Sequence, residues 1–490
     1  MDAVTSFVTD DINYWLWQVI PYLLIGAGLY FGVRTFVVQI RHVPSMFRAV
    51  TEKPPVPGDD ISAFKAFTIS AASRVGTGNV TGVAIAISMG GPGAVFWMWM
   101  LAILGGATAF VESTLAQLFK TRDSDGNYLG GPAYYISRGL GWKKFAVVFA
   151  IAISVTYGLI YNAIQTNSIV TSMSNSFSND SIGFKSIIGL AVAILTAFIV
   201  FGGVKRIANV TQAMVPFMAI AYILVGILVV IINIQEVPSM FATICEHAVG
   251  VKEIAGAAVG QAFTKGMQRG LFSNEAGQGS APNAAATATV THPAKQGLVQ
   301  TLGVYFDTLV VCSITAFVIL LGPAVNYGEK VEGVHLTQTA LAASVGNWGI
   351  HFVTFIMFFL AFSSVIGNYY LAQANIQYLT ESKKALNVFR VLVLLAVFGG
   401  ALGSVALVWS LGDTFAGLMA AINLTALIPL GGLAVKMLGN FDDQLADGRD
   451  PIFLADMLPE AKNVECWRGD EPELKSPDGE DPHKYVGNYK

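Results

Sequence analysis

Apolar and polar positions follow one another along this chain in long blocks, not in short amphipathic periods. A helix needs ~20 apolar residues to cross a ~30 Å hydrocarbon layer. Eleven stretches meet that length, at residues 14–38, 62–89, 92–119, 143–169, 185–204, 207–233, 254–290, 296–322, 351–380, 386–411 and 413–437, here spans one to eleven. Two of them are broken at their centres by glycine and polar residues. Span two, apolar over 64–89, is interrupted by SRVGTGNVTG at 73–82, and span seven, over 254–290, by GLFSNEAGQG at 270–279. In lipid every backbone N–H and C=O needs a partner, so unwound helix is tolerated only where it is buried or lines a cavity. A matched pair of such breaks marks the binding site of a secondary transporter.

With span one set aside, the other ten divide into two sets of five, each opening on a broken helix. The division is a segment 1–61 carrying an extra helix, a first set at 62–233, a second at 254–437 and an acidic tail at 438–490. Five is odd, so the second set must be inverted relative to the first, the inverted-topology repeat of many transporters. The loops after spans one, three, five, seven and nine are basic, with Arg34, Arg41, Arg48, Lys120, Arg122, Arg138, Lys205 and Lys383 among their residues. The opposite loops hold Lys185, Lys252 and Lys330. The positive-inside rule then puts the N-terminus outside and the C-terminus in the cytoplasm of a plasma-membrane protein. Met1-Asp2-Ala3 brings no basic region before the first apolar run, which reads as a retained helix and not a signal peptide. The tail after Gly439 is polar and rich in Pro, Asp and Glu, the composition of a partly disordered extension.

Composition agrees: charged residues are 12% of the chain against ~25% in soluble domains. A net charge of −3 favours no nucleic-acid partner, while membrane lipid is a partner by necessity. Cys245, Cys312 and Cys466 have neither disulfide-framework nor zinc spacing. The six histidines fall in loops, at span ends or in the tail, with no triad or metal spacing, so no enzyme is expected. No repeated filter loop suggests a channel.

Ionisable residues inside spans are costly and functional by default. Glu112 in span three, Glu275 in the break of span seven and Asp307 in span eight qualify; each can be a coupling or gating group or a structural acid. Arg74, beside the first break, is expected to form a gate ion pair or to snorkel. The breaks themselves suit a dehydrated zwitterion. Freed N–H groups at a half-helix start attract a carboxylate, and freed carbonyls, hydroxyls and amide oxygens accept from an ammonium. Thr77, Gly78 and Asn79 in span two, and Phe272, Ser273 and Asn274 in span seven, are the candidates for substrate contact.

Four motifs carry a resemblance: GGPGAVFWMWM at 90–100 running to Gly105, GTGNVTG at 76–82, GGPAYYI at 130–136 and GLFSNEAGQGSAPNAAA at 270–286. Over residues 14–437 the chain resembles the alanine or glycine:cation symporter family. That resemblance implies an all-α membrane fold of about eleven helices, a leucine-transporter-type 5+5 inverted repeat with one extra N-terminal helix. It implies uptake of a small neutral amino acid such as alanine or glycine, with sodium as the co-transported ion. By analogy with that fold, sodium is held by carbonyls around Ala72, Ser73 and Gly76 and by the hydroxyls of Ser363 and Ser364 in span nine. Span four faces the substrate, and along it Tyr157, Tyr161, Asn162, Gln165 and Thr166 recur at helical spacing. Asn162 and Thr166 are the ligand candidates there, or else interhelical glue. Some proton-coupled relatives of the fold carry a lysine in the fifth helix of the first repeat; span six has no Lys or Arg between Val210 and Ile232. One position departs from the family. Asn368 follows Gly367 where members often carry Trp; the replacement enlarges and polarises the pocket wall, which leaves a sodium-coupled glutamine or broader neutral amino acid transporter as an alternative, a proton-coupled variant being a separate one.

Overall fold

The computed structural model describes residues 6–53, 61–123, 126–250, 256–322, 333–469, 471 and 474. Among them nine helices are long and apolar enough to cross a membrane. They are the nine continuous spans: one at Asp11–Arg34, three at Gly93–Leu118, four at Lys143–Phe177, five at Ile182–Val200, six at Gly203–Ile232, eight at Pro293–Leu320, nine at Trp348–Leu379, ten at Lys383–Leu402 and eleven at Val405–Ala446. Spans two and seven are the broken pair. Span two is Ala63–Arg74, then a wide π-type turn Gly78–Gly82 leading into Val83–Gly90. Span seven is Gly256–Asn274 followed by the single turn Ala281–Ala285.

Burial separates the centre from the periphery. Protein covers 67% of the apolar windows of spans three, eight and nine but only 17% of that of span five, where Ile187, Ile194 and Phe198 point outward. Outward-facing apolar side chains on a long helix are what lipid, not water, solvates. Span three packs along span eight, four along nine and five along ten. Each pair joins corresponding helices of the two five-helix sets, which places an approximate twofold axis in the membrane plane between them.

Three expectations are corrected. The second break begins later than residue 270. Gly270, Leu271, Phe272, Ser273 and Asn274 stay helical, and a Cβ on Gly270 would stand 3.0 Å from Leu101 and 3.4 Å from Met98. That glycine serves close helix packing, and the unwound part is residues 275–280. The first break is likewise short, confined to Val75 and Gly76. The tail is not disordered where it is described: span eleven runs on through Gly439 to Ala446, and beyond it Phe453, Leu454, Leu458 and Trp467 are buried. Its polar composition hides a few spaced apolar anchors.

Candidate functional site

At the first break the helix leaves its ladder at Val75 and restarts at Thr77. The backbone groups set free are taken up by side chains from three other places. Gly76 N–H donates to Asn79 Oδ1 at 2.7 Å, and both the N–H and the hydroxyl of Thr77 donate to Gln165 Oε1 of span four, at 3.1 and 2.6 Å. The carbonyl of Ala72 accepts from Ser364 of span nine at 2.8 Å. Span nine comes this close because of Gly367, where a Cβ would lie 2.6 Å from the backbone nitrogen of Ser73.

At the second break three residues take left-handed backbone: Glu275 at φ 58°, Gly277 at 87° and Gly279 at 80°. For Glu275 that conformation is unusual, and its carboxylate is tied on both oxygens, by Ser73 at 2.8 Å and Ser280 at 2.6 Å. The Ser73 hydroxyl also lies 2.7 Å from the side-chain amide of Asn368, so one serine connects both breaks to span nine. Gln278 is held by Tyr157 at 2.6 Å and Tyr161 at 3.3 Å. Asn274 caps the N–H of Ala276 at 3.0 Å.

The half-helices that border the two breaks touch. A Cβ on Gly78 would sit 3.1 Å from Phe272 and 3.2 Å from Ser273. Asn79 and Ser273, one from each, converge on Asp307 of span eight at 2.6 and 2.8 Å, with Thr308 adding a third bond at 2.8 Å. Asp307 lies in a π-type turn, Phe306–Cys312, a helix irregularity frequent at functional sites. Glu112 reaches the second break from span three, accepting from Gly277 N–H at 3.4 Å and from Asn423 of span eleven at 2.9 Å; Tyr135 donates to Asn423.

The breaks present opposite helix poles. Thr77, Gly78 and Asn79 open the second half of span two, its positive end; Phe272, Ser273 and Asn274 close the first half of span seven, its negative end. Both serines of span nine bond back to Leu360 O, Ser363 at 2.9 Å and Ser364 at 3.1 Å, but Ser363 lies 3.4 Å from the Met218 sulfur while Ser364 reaches Ala72 O. Neighbours on a helix point ~100° apart, so one serine can face span two while the other cannot. The hydrogen bonds of Asn162 and Thr166 stay within span four, to Gly158 O and Asn162 O. Arg74 neither snorkels nor makes an ion pair among the described residues. It is buried, donates to Gln300 O at 3.2 Å and lies within electrostatic range of Glu112, Glu275 and Asp307 together.

Sequence reasoning missed the cover over this site. Phe272 packs between Tyr161 and Trp409 with tilted rings, at centroid distances of 4.7 and 4.9 Å. One turn earlier Arg269 is paired with Asp413 of span eleven, its guanidinium 4.9 Å over the Trp409 ring. Both are buried ionisable groups inside spans, the signal that picked out Glu112. They escaped it because Arg269 borders a break and Asp413 opens the expected span eleven. Gln165 lay on the substrate-facing stripe of span four but was passed over.

Two broken helices meeting pole to pole inside an inverted pair of five-helix sets define a secondary transporter of the leucine-transporter type. A crystal structure of MhsT in complex with L-phenylalanine has this fold, superposing with a TM-score of 0.56 at 13% identity over 83% of this chain and 94% of that one. The profile of the sodium:alanine symporter family matches residues 1–455, and the chain belongs to that family. It is 48% identical over 471 residues to the amino-acid carrier protein AlsT of Bacillus subtilis, covering 96% of this chain and 99% of the relative. To the probable sodium/glutamine symporter GlnT of the same organism it is 42% identical, covering 95% and 97%. The sodium/alanine symporter AgcS of Methanococcus maripaludis is 36% identical, with 90% and 98% covered.

Proposed function

We propose that this chain carries a small neutral amino acid into the cell together with sodium, by alternating access to a site between the two helix breaks. The observation that carries the reading is the contact of opposite helix poles at Gly78 and Ser273. A zwitterion has one group for each pole: the carboxylate turns to Thr77, Gly78 and Asn79, and the ammonium to the closing turn at Phe272, Ser273 and Asn274. Gln165 Oε1 fills the seat at Thr77 that a substrate carboxylate takes on binding.

Sodium, a hard cation, needs oxygens. Ala72 O and Ser364 Oγ already lie together at the first break, with Gly76 beside them, and Ser73 is one residue on. Three buried carboxylates, Glu112, Glu275 and Asp307, share the single guanidinium of Arg74. In a low-dielectric interior such an excess of negative charge calls for cations or protons, which supports cation coupling. The basic loops support a topology with the N-terminus outside and the segment beyond span eleven in the cytoplasm, and residues 62–233 and 254–437 are read as the two repeats.

Glutamine is the second reading. Asn368 brings a carboxamide to the wall beside Ser73, and one of its atoms, Nδ2, is buried with no hydrogen-bond partner, a group that a polar substrate side chain satisfies. Uptake of labelled L-alanine into proteoliposomes under an inward sodium gradient, with glycine and glutamine as competitors, tests both. Sodium-driven accumulation supports symport, and stronger competition by glutamine moves the substrate to the second reading. No sodium-driven uptake of any amino acid by folded protein overturns the proposal.

A further inference from the structure

Residues 450–467 lie as a strap over the end of span three, the chain after span seven and the 132–139 helix, adding to the direct bonds of Gln117 to Ala285 O and Ala288 O and of Arg138 to Phe119 O. Phe453 N–H donates to Thr291 O at 2.9 Å, and the Thr291 hydroxyl returns a bond of 2.9 Å to Pro451 O, so the strap grips the chain just after the second half of span seven. Asn463 donates to Arg138 O at 3.0 Å and Glu465 pairs with the Arg138 guanidinium at 2.9 Å, holding the short helix Pro132–Gly139. At its end Trp467 is 1% exposed. Its ring nitrogen donates to Gln117 O at 2.9 Å, and the Lys120 ammonium lies 4.3 Å from its ring and 3.8 Å from that of Tyr128.

Two of these anchors carry strained backbone. Asn463 and Trp467 have φ of 62° and 70°, a region that costs non-glycine residues energy and persists where surroundings over-determine it. Beside the strap opens a cavity of about 1360 Å³ whose wall includes Glu465, Arg138, Tyr134 and Gln373. Gln373 belongs to span nine, five residues beyond Asn368, or ~7.5 Å along the helix. The cavity wall therefore shares span nine with the central site. What closes it off are contacts between span nine and the very elements the strap holds: Tyr134 against Tyr378 at 5.0 Å, and Asn375 on Asn283 at 2.9 Å.

We propose that the strap is a latch on the inner exit, with Trp467 in its Gln117–Lys120–Tyr128 socket as the positioning residue. Releasing substrate to the cytoplasm requires the second half of span seven and the 132–139 helix to part from span nine. The strap ties both to the end of span three and so favours the closed arrangement. A contact present in one of two states shifts their populations by its differential energy. The inference rests on the alternating-access reading above.

The test reads opening directly, in full-length protein in inside-out vesicles. A reporter thiol is placed by Gln373→Cys, with Cys466→Ser so that the strap's own thiol is not read, and labelled with a membrane-impermeant maleimide. Adding Trp467→Ala should speed labelling ~5-fold or more and raise the external sodium half-saturation of uptake, with Glu465→Gln moving both the same way by less. Unchanged labelling in a Trp467→Ala protein of normal melting profile overturns the latch. Should that variant fail to fold, Lys120→Met, which keeps the apolar stem, must speed labelling or the latch falls. Sodium-dependent labelling in the parent alongside a parent-like Trp467→Ala rejects the latch and leaves symport standing. Sodium-independent labelling together with no uptake rejects the symport reading, and the latch with it.

Discussion

Two side chains at the first break divide the work. Ser364 meets the carbonyl of Ala72, whereas Gln165 covers Thr77. Ser364→Ala should raise the sodium half-saturation of uptake by about tenfold, the equivalent of ~1.4 kcal/mol, while leaving substrate recognition nearly unchanged. Gln165→Ala should act on substrate instead, lowering its KM at saturating sodium, since the two Thr77 donors left without an acceptor, at ~1–3 kcal/mol each, regain one only from the substrate carboxylate. Initial rates over a grid of sodium and substrate concentrations separate the two; equal effects on both parameters in either variant would refute its assignment. Ser364 was singled out only through the fold analogy, because a midspan serine taken alone reads as a bond back to its own helix, which Ser364 also makes to Leu360 O. Gln165 was not singled out, for a geometric reason. Adjacent helix positions point ~100° apart, so a stripe that holds both Tyr161 and Asn162, and both Gln165 and Thr166, spans two faces. The stripe seen in sequence mixed two faces: Tyr157, Tyr161 and Gln165 meet the breaks, while Asn162 and Thr166 bond within their own helix.

Among the elements, span seven depends on its neighbours for its shape. Asn423 gives one amide bond to Glu112 and one to Gly277 O, and accepts from Tyr135, bracing the unwound residues from span eleven. Asn423→Ala orphans several buried groups at once and should lower the thermal midpoint in detergent by several degrees; a midpoint within one degree of the parent would show that the brace is dispensable. Span nine meets span two through a bare backbone, so Gly367→Ala should abolish uptake while Gly439→Ala, where a Cβ meets nothing within 4 Å, leaves it intact. Both breaks could be read from glycine and polar residues in apolar surroundings, but not their limits. Glycine that unwinds a helix and glycine that lets a helix approach look alike in sequence. Gly277 at φ 87° does the first, and Gly270 against Met98 and Leu101 does the second.

At the scale of the molecule the site is closed on both sides, by Arg269 on Asp413 above Phe272 and Trp409, and by the strap below. Removing one member of a buried pair leaves an uncompensated charge, at about 3–5 kcal/mol, whereas removing both costs far less. Asp413→Asn should therefore destabilise the protein more than the double variant Arg269→Gln/Asp413→Asn in thermal unfolding, and the reverse order would mean that the pair carries no buried charge. The membrane class and the inverted halves were plain from block lengths and an odd helix count. The strap was hidden because four or five spaced anchors do not change the average of an acidic tail. Span eleven, at 42 residues, is ~63 Å long, about twice the hydrocarbon thickness. One rod thus carries Asp413 at one closure, Asn423 at the brace of span seven, and Lys436, which pairs with Glu460 of the strap. Substitutions accepted at one end of this helix will be epistatic with those at the other, and homologous chains should drift at the two closures in concert.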